Sequence, residues 1–121
     1  MEIKPDLYQS YNNLGLVYSY MDDLNKSIYY LNKAIDVNPE ICKAYNDAGT
    51  VYAKLGEFDP AIESIIKAIS INKYNADYHY NLAIIYEFLG EKELALNEMD
   101  KASELEPDNP KIIDKLDEFK N

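Results

Sequence analysis

The chain has 121 residues, enough for one small domain, and its 47% apolar and 28% charged residues are those of a folded protein rather than a disordered one. Acidic residues outnumber basic ones 22 to 12, every base is lysine, and a net charge of −10 without arginine argues against nucleic-acid binding. No apolar run approaches the ~20 residues that span a bilayer, the first residues lack a signal-peptide core, and Cys42 has no second cysteine to pair with. No membrane contact and a cytoplasmic setting are therefore expected.

In chain order the elements form pairs. Residues 8–21 and 24–37 predict two helices around Asp22-Asp23, and aspartate tolerates the left-handed conformation of a tight turn. Residues 42–55 carry a helical stripe of Ala44, Tyr45, Ala48, Tyr52 and Leu55. Gly56 ends that helix, and Asp59-Pro60 predicts the start of the next, as N-cap and first-turn residue, over 59–71. Its apolar stripe is Ile62, Ile65, Ile66 and Ile69. Residues 76–89 and 92–105 repeat the pattern around Gly90. Residues 110–121 form an amphipathic segment with Ile112, Ile113, Leu116 and Phe119 on one side, which predicts a capping helix.

These pairs repeat every 34 residues. Gly15, Gly49 and Ala83 align, as do Tyr18, Tyr52 and Tyr86, then Leu31, Ile65 and Met99, then Ala34, Ala68 and Ala102. Ser27, Ala61 and Ala95 share a register, and Pro39 is matched by Pro107, with Lys73 between them. Small residues at these positions let two helices approach to ~8–10 Å. The twelve tyrosines read mainly as core and inter-repeat packing.

The pattern of Tyr11, Leu14, Gly15, Tyr18, Ser27, Leu31, Ala34 and Pro39, with its two further copies, resembles the tetratricopeptide repeat family. The resemblance implies an all-α, right-handed α-solenoid of antiparallel helical hairpins with about seven helices. Residues 1–121 then form a single domain: 1–7 as the tail of a preceding repeat, repeats at 8–41, 42–75 and 76–109, and a capping helix at 110–121. No comparable cap precedes Tyr8, so earlier repeats removed from the chain, or a partner, are expected at that end.

Little in the sequence points to catalysis. His79 is the one histidine and stands where the pattern expects a packing aromatic, so a half-buried packing role is expected of it. Cys42 reads as a small buried hydrophobe. Zinc-ligand spacing, a phosphate-cradling glycine loop and a calcium loop are all missing, so neither metal nor cofactor is expected and the chain is not read as an enzyme. The third copy carries nine acids against Lys92 and Lys101, a charge that keeps the chain soluble or steers a basic partner.

What the resemblance implies is a protein-interaction module, with a protein or peptide partner bound along the concave side lined by the first helix of each pair. On that geometry the groove residues are Asn12, Asn13, Tyr20, Lys43, Asn46, Asp47, Lys54, Tyr80, Asn81 and Phe88. Amides at one-repeat spacing (Asn12 with Asn46, Asn13 with Asn81) can grip a peptide backbone, since each both donates and accepts. The arrangement is similar to the asparagine ladder of the O-linked N-acetylglucosamine transferase superhelix, with Asp47 breaking the run. An asparagine there can equally bond the neighbouring helix. The co-chaperone clamp for a terminal carboxylate falls on Asn12, Leu16, Asp47, Asp77 and Asn81, none of which keeps the family residue. The alternatives are self-association through the uncapped N-terminal face, or a regulatory segment of a larger enzyme.

Overall fold

The computed structural model describes residues 7–120, and the expected tail of a preceding repeat at residues 1–7 lies, but for Leu7, outside them. Seven helices make up the described residues: α1 (Leu7–Tyr20), α2 (Leu24–Val37), α3 (Cys42–Lys54), α4 (Phe58–Ile71), α5 (Ala76–Phe88), α6 (Lys92–Leu105) and α7 (Pro110–Lys120). The chain divides into a compact unit ending at Ile71 and a second beginning at Asn72. In the first, α1 packs on α2, α3 on α4, and α2 and α1 also meet α3. In the second, α5 packs on α6, and α6 on α7.

The turn inside each hairpin is built identically from different residues. Asp22, Gly56 and Gly90 hold φ of 62°, 78° and 81°, the left-handed region that ends a helix. The amides of Asp23, Glu57 and Glu91 then return 2.9 Å bonds to the carbonyls of Tyr18, Tyr52 and Tyr86. Asp23 also caps α2 by accepting from the Lys26 amide at 3.3 Å. The start of α4 differs from its sequence expectation. The helix opens at Phe58, with the Ala61 amide bonded to the Glu57 carbonyl at 3.2 Å, so Asp59 lies within the first turn rather than capping it, and Pro60 stays in the first turn. Pro60 is tolerated there because the first amides of a helix have no partner to lose.

The small residues sit at the helix crossings. A Cβ at Gly15 would stand 2.6 Å from Leu31 Cγ, and one at Gly49 only 2.4 Å from Ile65 Cγ1. Ser27 occupies the same register as Ala61 and Ala95, and its buried hydroxyl donates to the Gly15 carbonyl at 2.7 Å. In the first hairpin, Tyr30 stacks on Tyr18, with centroids 5.4 Å apart and planes 6° from parallel, and on Tyr11 at 6.3 Å.

The second unit closes around Ile112. This residue is fully buried among Ala76, Ala83, Met99 and Ala102, with Leu116 and Phe119 packed beside it. Ile113 is the exception in the expected apolar face, being 42% exposed. His79 departs further from its expectation. It is buried, not half-buried, and its Nδ1 lies 2.8 Å from Glu98 Oε2 while Nε2 lies 2.9 Å from the Lys73 carbonyl. The Lys73 carbonyl can only accept, so Nε2 donates to it, and Nδ1 bonds the Glu98 carboxyl. The ring ties the turn before α5 to α6, a structural role that the repeat pattern does not foretell.

Candidate functional site

Three of the expected groove residues come together in the first unit. Asn12 and Asn13 of α1 and Lys43 of α3 line one open cavity of about 370 Å³, completed by Tyr8, Gln9 and Ile41. Adjacent first helices place these side chains because the 34-residue period sets Gln9 and Lys43 in the same register. Asn13, Gln9 and Lys43 are exposed at the rim. Tyr8 and Ile41 were not among the expected contacts. They are the first and last residues of copy one, and a cavity at the seam between copies draws on both ends of the repeat.

Asn12 is not a rim residue. It is 3% exposed, and its amide donates to the carboxylate of Asp47. Two oxygens beside that bond have no donor, Asn12 Oδ1 and Asp47 Oδ2, and both are closed off from solvent. They are the two buried side-chain atoms of this kind among the described residues. A buried acceptor left bare costs on the order of 1–3 kcal/mol, so the pair is expensive for the fold to keep. Burial pushes the Asp47 carboxyl above the ordinary carboxylate range, against the pull of Lys43 and the Asn12 hydrogen bond.

A folded-state pKa raised above that of the unfolded chain means that ionised Asp47 opposes folding, and that the penalty fades as pH falls toward the ordinary carboxylate range. Asp47→Asn is therefore expected to be more stable than the native chain at pH ~7, with the gap closing toward pH ~4. Urea denaturation across that range checks it, and a gap that widens on acidification would contradict the assignment.

The remaining expected contacts lie elsewhere. Asn46 is buried at 9% exposure, so its amide is not presented at a surface. Tyr20, 87% exposed, stands at the far end of α1, and nearby Lys54 donates to Ser19 Oγ at 3.4 Å. In the second unit Asn81 is half-buried and Phe88 is 74% exposed. Tyr80 is covered in part by α7: Lys111 Nζ sits 4.3 Å from its ring centroid, while Lys111 and Lys115 also reach Asp77 and Glu87 on the same helix at 3.6 and 3.9 Å. Among the described residues no group of His, Cys, Asp or Glu is arranged to hold a metal ion, and no helix is long and apolar enough to cross a membrane.

Comparison with known proteins accounts for this architecture. The chain matches tetratricopeptide repeat models over residues 8–41 and 76–109, and a TPR repeat model over 49–90. No curated protein matches it. Among solved structures it is similar to the first TPR of Spaghetti (RPAP3) bound to HSP90 peptide SRMEEVD, at TM-score 0.91 and 18% identity over 99% of this chain and 95% of that one. The Arabidopsis OM64 TPR domain is matched at TM-score 0.90 and 20% identity, over 95% of each chain. MamA is matched at 0.86 and 23%, over 96% of this chain and 68% of that one. With matched segments that together cover residues 8–41 and 49–109, and the all-α fold of these structures, the chain belongs to the tetratricopeptide repeat family.

Proposed function

We propose that the chain is a non-catalytic interaction module that binds a peptide or partner segment through the cavity between α1 and α3. The observation that carries this is the cavity itself, where exposed amides of Gln9 and Asn13 converge with Lys43 on an opening backed by buried polar atoms. Such a lining offers hydrogen bonds to a backbone with little regard to sequence. Support also comes from a structural neighbour that is described as bound to an HSP90 peptide. The residues of the co-chaperone clamp are not kept here, so the peptide chemistry differs. In the second unit, the same repeat register on α5 offers Tyr80, Asn81 and Phe88 as contacts of their own.

Selection from a displayed peptide library tests this reading. A selected peptide is expected to bind in the micromolar range, about −8 kcal/mol. Gln9→Ala with Asn13→Ala is expected to weaken it by about 1–2 kcal/mol, at ~1 kcal/mol per neutral hydrogen bond, without changing the helical spectrum. Glu63→Ala with Lys67→Ala, exposed positions of α4, serves as control. Peptides that lose affinity for the control and not for the cavity variant would move the site to the outer helices.

A second reading rests on α1 and the residue after it, where Leu7, Leu14, Val17 and Met21 follow helical spacing at 38 to 67% exposure. Self-association through this stripe makes sedimentation mass rise with concentration, and a monomer at every concentration would dispose of it.

A further inference from the structure

Helix α1 carries no charged side chain. Among the described residues, the formal charges at the cavity come from Lys43 at its rim, Asp47 behind Asn12, and Glu40 next to Ile41. Asn12 turns its amide hydrogens to Asp47, which leaves Asn12 Oδ1 and Asp47 Oδ2 as bare acceptors on either side of one hydrogen bond. Acceptors are satisfied only by donors. A ligand carboxylate brings further acceptors and a second negative charge beside Asp47, with Lys43 the one cation among the described residues at the cavity to meet it. A backbone amide brings one hydrogen and no charge, so it leaves the half-buried carboxylate uncompensated. An ammonium brings three hydrogens and the missing positive charge.

We infer that the cavity takes the primary ammonium of a peptide, from a lysine side chain or a free amino terminus, held by Asn12 Oδ1 and balanced by the charge of Asp47 behind it. The inference rests on the peptide-binding reading and names the group that is bound. Tyr8 and Ile41 supply an aromatic and an apolar wall for the carbon stem behind the charge. Asn12 Oδ1 is closed off in the free chain, and reaching it takes a rotation of the Asn12 amide about χ2, a broad torsion in asparagine, while Asp47, which does not line the cavity, acts through its charge. Lys43 is not a gripping group on this reading. Its exposed ammonium reaches Asp47 through charge alone, while Asp47 Oδ2 has no hydrogen bond, so Lys43 competes with the ligand.

That gives substitutions of opposite sign. The probes are four short peptides titrated into the 15N-labelled chain: acetyl-Gly-Lys-Gly-amide, Gly-Gly-Gly-amide with a free amino terminus, acetyl-Gly-Gly-Gly-amide, and acetyl-Gly-Gly-Gly with a free carboxylate. The first two are expected to shift the backbone resonances of Gln9, Asn13 and Lys43, and the tighter of them identifies the source of the ammonium. The two peptides without an ammonium are expected to leave these resonances in place. Asp47→Asn, which keeps the shape and removes the charge, is expected to weaken ammonium binding by about fivefold, the range for losing a nearby opposite charge. Lys43→Met, at an exposed position that leaves the fold intact, is expected to tighten it by about two- to fivefold.

Binding of the carboxylate peptide alone, weakened by Lys43→Met, would overturn the inference and leave the peptide-binding reading standing. Undiminished ammonium binding by Asp47→Asn would overturn the inference that the charge of Asp47 selects the ammonium. If none of the four peptides shifts the cavity, the inference fails, while the displayed-library selection decides the broader reading separately.

Discussion

Gly49→Leu is expected to lower the melting temperature of the chain by roughly 10 °C. The first added carbon alone would stand 2.4 Å from Ile65 Cγ1 and 3.0 Å from the Ala61 carbonyl oxygen. Neither atom can give way cheaply, since Ile65 is fully buried and β-branched and the other is helix backbone. Overpacking of a filled core costs about 1–3 kcal/mol or more, and each kcal/mol shifts the midpoint of a chain of this size by roughly 4 °C. Gly49→Ala is the informative lesser step. It recovers the ~1 kcal/mol by which alanine exceeds glycine in a helix, but meets the same two atoms, so it should still fall below the native midpoint. Thermal melts of both variants within error of the native chain would mean that α3 and α4 do not cross at this residue.

Ile112→Ala is expected to destabilise the chain by about 2–4 kcal/mol. Several interactions hold α7, and their magnitudes decide which dominates. The Lys111–Asp77 and Lys115–Glu87 ion pairs are largely exposed, at 3.6 and 3.9 Å, and pairs of that kind contribute about 0–1 kcal/mol each. Lys111 over the Tyr80 ring adds about 0.5–1 kcal/mol. Ile112 has no exposure at all and its truncation leaves a cavity among Ala76, Ala83, Met99 and Ala102 that backbone cannot readily fill. Lys111→Ala should thus be mild where Ile112→Ala is severe, a ranking that urea denaturation reads directly. Deleting residues 110–121 should go further, because it uncovers Ala76, Ala83 and their partly buried neighbours Tyr80 and Ile84, and association or loss of cooperative unfolding is expected. A deletion that left the midpoint unchanged would make the segment a tail.

The contrast between Gly49 and His79 shows what a sequence of this kind makes legible. Gly49 could be placed at a crossing because the requirement is local and recurs: a small residue every 34 positions, against Leu31, Ile65 and Met99 in the facing register. The left-handed turn at Asp22 was readable for the same reason, since two other copies put glycine there. His79 was not, because its partners, the Lys73 carbonyl and Glu98, do not follow the repeat. Glu98 is 19 positions away on another helix and has no counterpart in the repeat pattern. Asn12 shows a third case. Its position on the first helix followed from the register, but its burial depends on Asp47 standing opposite, a pairing across copies that periodicity in one strand of sequence does not contain. The start of α4 failed on a smaller scale: Asp59 has a strong local preference for the cap, and the Gly56 turn overrode it by bringing the Glu57 carbonyl into position to accept from Ala61.

The tyrosine stack of the first hairpin has an optical consequence. The chain contains no tryptophan, so its ultraviolet absorbance and emission come chiefly from tyrosine. Two rings 5.4 Å apart and within 6° of parallel couple their electronic transitions strongly, and they do so only while α1 and α2 are packed together. The near-ultraviolet dichroism of unlabelled protein therefore carries a contribution from this one hairpin, whereas the far-ultraviolet spectrum averages over all the helices. The tyrosines of α3 and α5 absorb in the same region, and the difference from a Tyr30→Phe variant isolates the part that belongs to the stack. Opening of the first hairpin can be followed by light alone, and timed against the loss of the helices as a whole.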